Sequence, residues 1–156
     1  MKNLLIIMAA TIGMAACSCS GQKTENQPIS QEVQEDTCIK ATAEELEGIQ
    51  KALDFYINGG INGDSSITKQ GFAETATMSW REGDTLKSVP IQVLYDIIDE
   101  GGPAKGGYII SSLNVAEDVA IARIESWLGE AKFADMFTLV KDGDDWKIVS
   151  KVYHVK

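Results

Sequence analysis

Histidine occurs once in these 156 residues, at His154, and cysteine three times, at Cys17, Cys19 and Cys38, all ahead of the first periodic segment. No cluster of the two at ligand spacing exists, so a zinc site is not expected and no metal is assigned. Basic side chains are few as well. With 14 Lys and Arg against 23 Asp and Glu, the formal charge of -9 argues against a non-specific hold on nucleic acid or on an anionic membrane surface. Asp142, Asp144 and Asp145 lack the spacing and closing Glu of a calcium loop, so they read as a solvated turn. There is no phosphate-cradling glycine loop, no nucleophile elbow and no metal-ligand helix, and no cofactor is expected.

Long apolar runs are missing too. The longest, Leu4 to Ala16, follows Lys2-Asn3 and is shorter than the roughly 20 residues a bilayer-spanning helix needs. Its shape is that of a secretory signal, so residues 1–16 are read as a leader and the chain as exported. Residues 17–41 are dominated by Gln, Glu, Asn and Ser, with Pro28, and carry too few apolar side chains to offset the entropy of ordering. This stretch reads as a flexible tether. A Cys19–Cys38 disulfide would close only a floppy loop and is not expected.

What remains, residues 42–156, is one domain's worth of periodic sequence, 44% of the whole chain being hydrophobic. Thr42-Ala43-Glu44-Glu45 fits a capping box, and Leu46, Ile49, Leu53, Tyr56 and Ile57 then share a helix face until Asn58-Gly59-Gly60. A short helical piece precedes Phe72. Thr75 to Arg81 and Thr85 to Val89 predict a short hairpin about Glu82-Gly83-Asp84, and Pro90 opens a helix through Ile91, Leu94, Tyr95 and Ile98 that stops at Gly101-Gly102-Pro103. After that stop the period becomes two. Four strands follow, over 107–115, 119–128, 132–142 and 145–155, as an antiparallel meander. The fold class is therefore α+β: a curved antiparallel sheet of four long strands plus a short hairpin, packed on about three helices from the first half.

The last hairpin is the most informative stretch. Phe133, Asp135, Phe137 and Leu139 share one strand face, and Ala134, Met136, Thr138 and Val140 the other. Both are largely apolar, which predicts a strand covered on both sides. On the final strand, strict alternation sets Trp146, Ile148, Ser150, Val152 and His154 against Lys147, Val149, Lys151, Tyr153 and Val155.

Met14-Ala15-Ala16-Cys17 resembles the lipobox of bacterial lipoproteins, with Met14 where that family usually has Leu. The resemblance implies lipidation at Cys17, a membrane anchor and a place in the cell envelope; an ordinary cleaved leader with an incidental Cys17 is the alternative. The order of elements from Thr42 onward, with FADMFTLVK, the DGDDWKIV turn and the terminal KVYH, looks like the nuclear transport factor two-like superfamily. More narrowly it is similar to its putative lumazine-binding, SnoaL-like branch of small exported bacterial proteins. That resemblance implies a cone-shaped half-barrel with a deep apolar pocket on the concave face, and homodimers formed through the outer sheet face.

Asp135 is the sharpest candidate residue, as a lone acid between Phe133 and Phe137. Isomerases and cyclases of the superfamily use a pocket Asp as acid or base, so Asp135 and the single imidazole, His154, are the catalytic candidates and would form a dyad if they met across the sheet. Against this, an ion pair from Asp135 to Arg123 or Lys151 would fix register and do no chemistry, and this structural reading is preferred. Tyr56, Trp80, Tyr95, Arg123, Trp127, Phe133 and Phe137 are the candidates for lining a ligand pocket; for the aromatics the alternative is simply core. The expected protein is an exported, lipid-anchored domain that binds a small apolar or aromatic ligand without catalysis. The alternative is a cofactor-independent isomerase, cyclase or dehydratase, and a third possibility is a purely structural partner with an exposed apolar sheet face.

Overall fold

The computed structural model describes residues 39–156; the leader, Cys17 and the polar stretch up to Cys38 lie outside the described residues. The chain runs through β1 (Ile39–Lys40), α1 (Ala43–Asn62), α2 (Ser65–Thr68), β2 (Phe72–Glu82), β3 (Thr85–Pro90) and α3 (Gln92–Gly101). Four long strands follow: β4 (Gly106–Ala116), β5 (Val119–Leu128), β6 (Ala131–Asp142) and β7 (Asp145–Val155). All seven strands join one sheet in the order β1-β4-β5-β6-β7-β2-β3. This is the expected α+β architecture.

Its pairing is mixed instead of wholly antiparallel. The β2–β3 and β4–β7 neighbours are antiparallel, but β2 lies parallel to β7 and β1 parallel to β4. Turn residues mark hairpins between neighbours in sequence, and nothing local marks a pairing between strands some 70 residues apart. Ile39 and Lys40, within the stretch read as tether, pair with Leu113 and Asn114 and so cover part of the β4 edge.

Helix α1 begins as its sequence dictates. The Glu45 amide donates to Thr42 Oγ1 at 3.2 Å, and the Thr42 amide donates to the Glu45 carboxylate at 2.7 Å, so two orphan donors of the first turn are satisfied. Its end differs from the expected stop at Asn58-Gly59-Gly60. The helix continues to Asn62 and ends on Gly63 at φ 63°. Gly59 serves a different purpose: a Cβ there would stand 1.8 Å from Thr68 Oγ1, so its bare Cα is what allows α2 to dock.

Ile49, Ala52 and Leu53 of α1, with Leu94, Tyr95 and Ile98 of α3, bury against Ala122, Ile124, Phe137, Leu139 and Ile148 on one face of the sheet. Among the described residues nothing covers the opposite face. Ile109, Ile121, Met136 and Val152 are exposed there at 64%, 62%, 50% and 45%. Among the described residues β6 is thus covered on one side where the expectation has both, because the helices that pack on the sheet there do so on its inner face.

Strand β7 also departs from strict alternation. Leu139 pairs with Ile148 and Thr138 with Ser150, so Val149 is an extra residue, a β-bulge. Trp146 and Ile148 point inward before the bulge, and Lys151 is buried after it. The bulge switches which set of alternating residues faces the helices.

Candidate functional site

Three adjacent strands place three polar side chains on the inner face, one diagonal step apart. Ser126 of β5 lies opposite Phe133, Asp135 of β6 opposite Tyr153, and Lys151 of β7 opposite Phe137. Because diagonal neighbours on one face are within side-chain reach, Lys151 Nζ donates to Asp135 Oδ1 and Ser126 Oγ donates to Asp135 Oδ2. Asp135 and Lys151 are 0% and 2% exposed. Aromatic rings surround the ammonium: Nζ stands 4.1 Å from the Tyr153 centroid, 5.3 Å from Tyr56, 5.8 Å from Phe137 and 6.0 Å from Phe133.

Above this triad lies a cavity of about 250 Å³ between α1, α3 and the sheet. Tyr56, Met78, Leu94, Ile98, Phe133 and Tyr153 contribute to its apolar walls, while Ser126 and Lys151 bring polar groups to it. Burial holds the Lys151 ammonium below its ordinary value, with the Asp135 charge opposing the shift. Burial also pushes the Tyr56 phenol well above its ordinary value, helped by the Asp135 charge and opposed by Ser126. Tyr153 moves the same way, through burial and then Asp135. Both phenols therefore stay protonated at neutral pH and offer O–H donors.

Of the residues singled out from sequence, Tyr56, Trp127 and Phe133 line the cavity. Phe137 lies beneath it, in edge contact with Tyr56 at 5.4 Å. Trp80 stands against Tyr153 at 5.7 Å, and Tyr95 packs on Phe72 at 6.3 Å within the core. Arg123 is on the outer face, bonded to Glu125 at 3.0 Å, so of its two named partners Asp135 takes Lys151. His154 pairs with Ala134 and sits exposed on that same outer face. A dyad with Asp135 is ruled out, since the Val149 bulge leaves the two side chains on opposite sides of the sheet.

Ser126, Tyr153 and the α3 residues Ile97, Ile98 and Gly101 also line the cavity, and the sequence marks none of them as a pocket residue. The signal for β7 was present in the alternation itself: Trp146-x-Ile148 and Lys151-x-Tyr153 belong to opposite parities, which one inserted residue reconciles. Chemically, the arrangement leaves Asp135 little freedom. Each carboxylate oxygen already takes a strong donor, and the side chain is closed off beneath the cavity lining, out of the reach a general base requires.

A family model described as "Putative lumazine-binding" matches residues 44–154. Among solved structures, an NTF2-like protein of unknown function from Shewanella baltica OS155 is similar at 32% identity and TM-score 0.69, over 75% of this chain and 98% of that one. A second NTF2-like protein of unknown function, from Methylobacillus flagellatus KT, is similar at 33% identity and TM-score 0.68, over 75% and 96%. A domain of unknown function with a cystatin-like fold from Nostoc punctiforme PCC 73102 shares the fold at 14% identity and TM-score 0.59, over 74% and 80%. No curated protein matches the chain.

Proposed function

Because the chain belongs to the putative lumazine-binding family of NTF2-like proteins, we propose that it is a small-ligand-binding or accessory domain whose apolar cavity holds an aromatic or largely apolar molecule without transforming it. The observation that carries this reading is the cavity of about 250 Å³, a volume suited to a two-ring ligand, with a small number of polar groups at one end of an apolar wall. The state of Asp135 favours binding over catalysis: its charge is matched by Lys151, and among the residues lining the cavity there is no second acid to share proton transfer.

Export and lipid attachment at Cys17, in the cell envelope, complete the proposal; the leader and its Met14-Ala15-Ala16-Cys17 end support it. A homodimer joined through the outer sheet face is proposed with them, supported by the exposed apolar row described above.

Gly101 provides the test. It lines the cavity, and nothing lies within 4 Å of the position its Cβ would take, so Gly101→Phe introduces a ring beside the pocket without a backbone clash. The purified protein titrated with N-phenyl-1-naphthylamine should show saturable fluorescence enhancement, and Gly101→Phe should lose it while unfolding at the parent's temperature or above. Equal enhancement in the two proteins would place the probe elsewhere and sink the assignment of this cavity.

A further inference from the structure

The polar groups of the cavity divide unequally between donors and acceptors. Lys151 has three N–H groups, and among the described residues its side-chain hydrogen bond goes to Asp135. With the side chain only 3% exposed, the remaining donors are not met by bulk water. They are left to aromatic faces, which attract a cation but provide no directional acceptor. Tyr56 lines the same cavity, and its hydroxyl keeps its proton beside Ser126. Ser126 gives its own proton to Asp135, and Asp135 lies beneath with both oxygens engaged. The polar end of the cavity is thus rich in donors, and a ligand seated against it must bring an acceptor.

Charge decides which acceptor. Lys151 is the one charged side chain among the lining residues, and Asp135 cancels it. An anion entering here would lose its hydration and meet a cation already matched, whereas a neutral carbonyl oxygen gives up little water and gains one or two charge-assisted or buried hydrogen bonds. We propose that the ligand is a neutral, flat aromatic ketone or quinone, its rings against the apolar wall and its carbonyl oxygen accepting from Lys151 and Tyr56. This rests on the binding reading above and names the ligand class for the same site.

Three naphthalenes of nearly equal size separate the ideas: 2-acetylnaphthalene, 2-isopropylnaphthalene and 2-naphthoate, each titrated calorimetrically into the purified protein. The ketone should bind about tenfold or more tightly than either of the others, the worth of one charged hydrogen bond. On binding, its carbonyl stretch should move to lower frequency in infrared difference spectra. Tyr56→Phe, which keeps the ring, should reduce both the preference and the shift. The charge-neutral double variant Asp135→Asn with Lys151→Met should reduce both further than Tyr56→Phe does, because the charged donor is gone and only the Tyr56 hydroxyl remains. Equal affinity for ketone and hydrocarbon, or tighter binding of the naphthoate, would overturn the ligand class and leave the binding reading standing. Failure of all three to bind would overturn both.

Discussion

An ion pair shut away from water persists because each charge answers the other, so the two partners fail together. Asp135→Asn strands the Lys151 ammonium among aromatic rings, and a loss of about 3–5 kcal/mol is expected in urea unfolding, the usual cost of an uncompensated buried charge. Lys151→Met should cost a similar amount, whereas the double variant should recover most of the parent's stability. Losses that simply add in the double variant would show that the two side chains are not coupled. The exposed acids govern the acid limb instead. Glu45 titrates below its ordinary 4.5 because of the Thr42 bonds, and Asp99 below 3.8 because Ser65 donates to it twice. As pH falls the unfolded chain takes up these protons first, so the contribution of both groups is complete above about pH 5 and is lost as pH drops through the ordinary values to the lower folded ones. Urea midpoints measured from about pH 6 to pH 2 should fall most steeply below about pH 4.5, and less steeply in Glu45→Gln, which cannot titrate; an unchanged profile in that variant would remove the capping box as a cause.

Single elements were legible where their signals are local. The Thr42 box, the Gly83 turn, the α3 period and the four long strands all act through neighbours within a few residues, and each lies where the sequence puts it, to within a residue or two. Asp135 stood out for the same reason, as one charge among aromatics. Gly59-Gly60 and Val149 were misread because their meaning is tertiary: a glycine that normally ends a helix here admits a neighbour, and a bulge leaves no mark in a strand except a broken parity. The helix propensity of α1 would favour Gly59→Ala by about 1 kcal/mol, yet the added Cβ meets Thr68 Oγ1, so the variant should instead be less stable by about 1–3 kcal/mol. Thermal unfolding decides between them, and a raised melting temperature would mean that α2 can shift aside cheaply.

For the molecule as a whole, the unanswered surface is the outer sheet face. Val152, Met136 and Arg123 stand side by side across β7, β6 and β5, with Ile121 two residues before Arg123 on the same face, so apolar groups continue across strands. If two copies meet there, Ile121→Lys with Met136→Lys should convert a sedimenting dimer to monomer without lowering the melting temperature of the single chain, since neither side chain is in the core; a parent protein that sediments as one chain would refute the pairing. Fold class and helix layering were readable at this scale because composition and order constrain them, while the β2–β7 contact spans too much chain for any local signal. The Val149 bulge also decides which change of length the pocket tolerates. One codon lost there would let β7 pair with β6 without the extra residue: Ile148 and Lys151 would stand two positions apart on one face, so Lys151 and Tyr153 would stay inward and Val152 and His154 outward. The donor-lined chamber would keep its furnishing through that single genetic step, and β7 would lose only the local bend and twist that the extra residue adds.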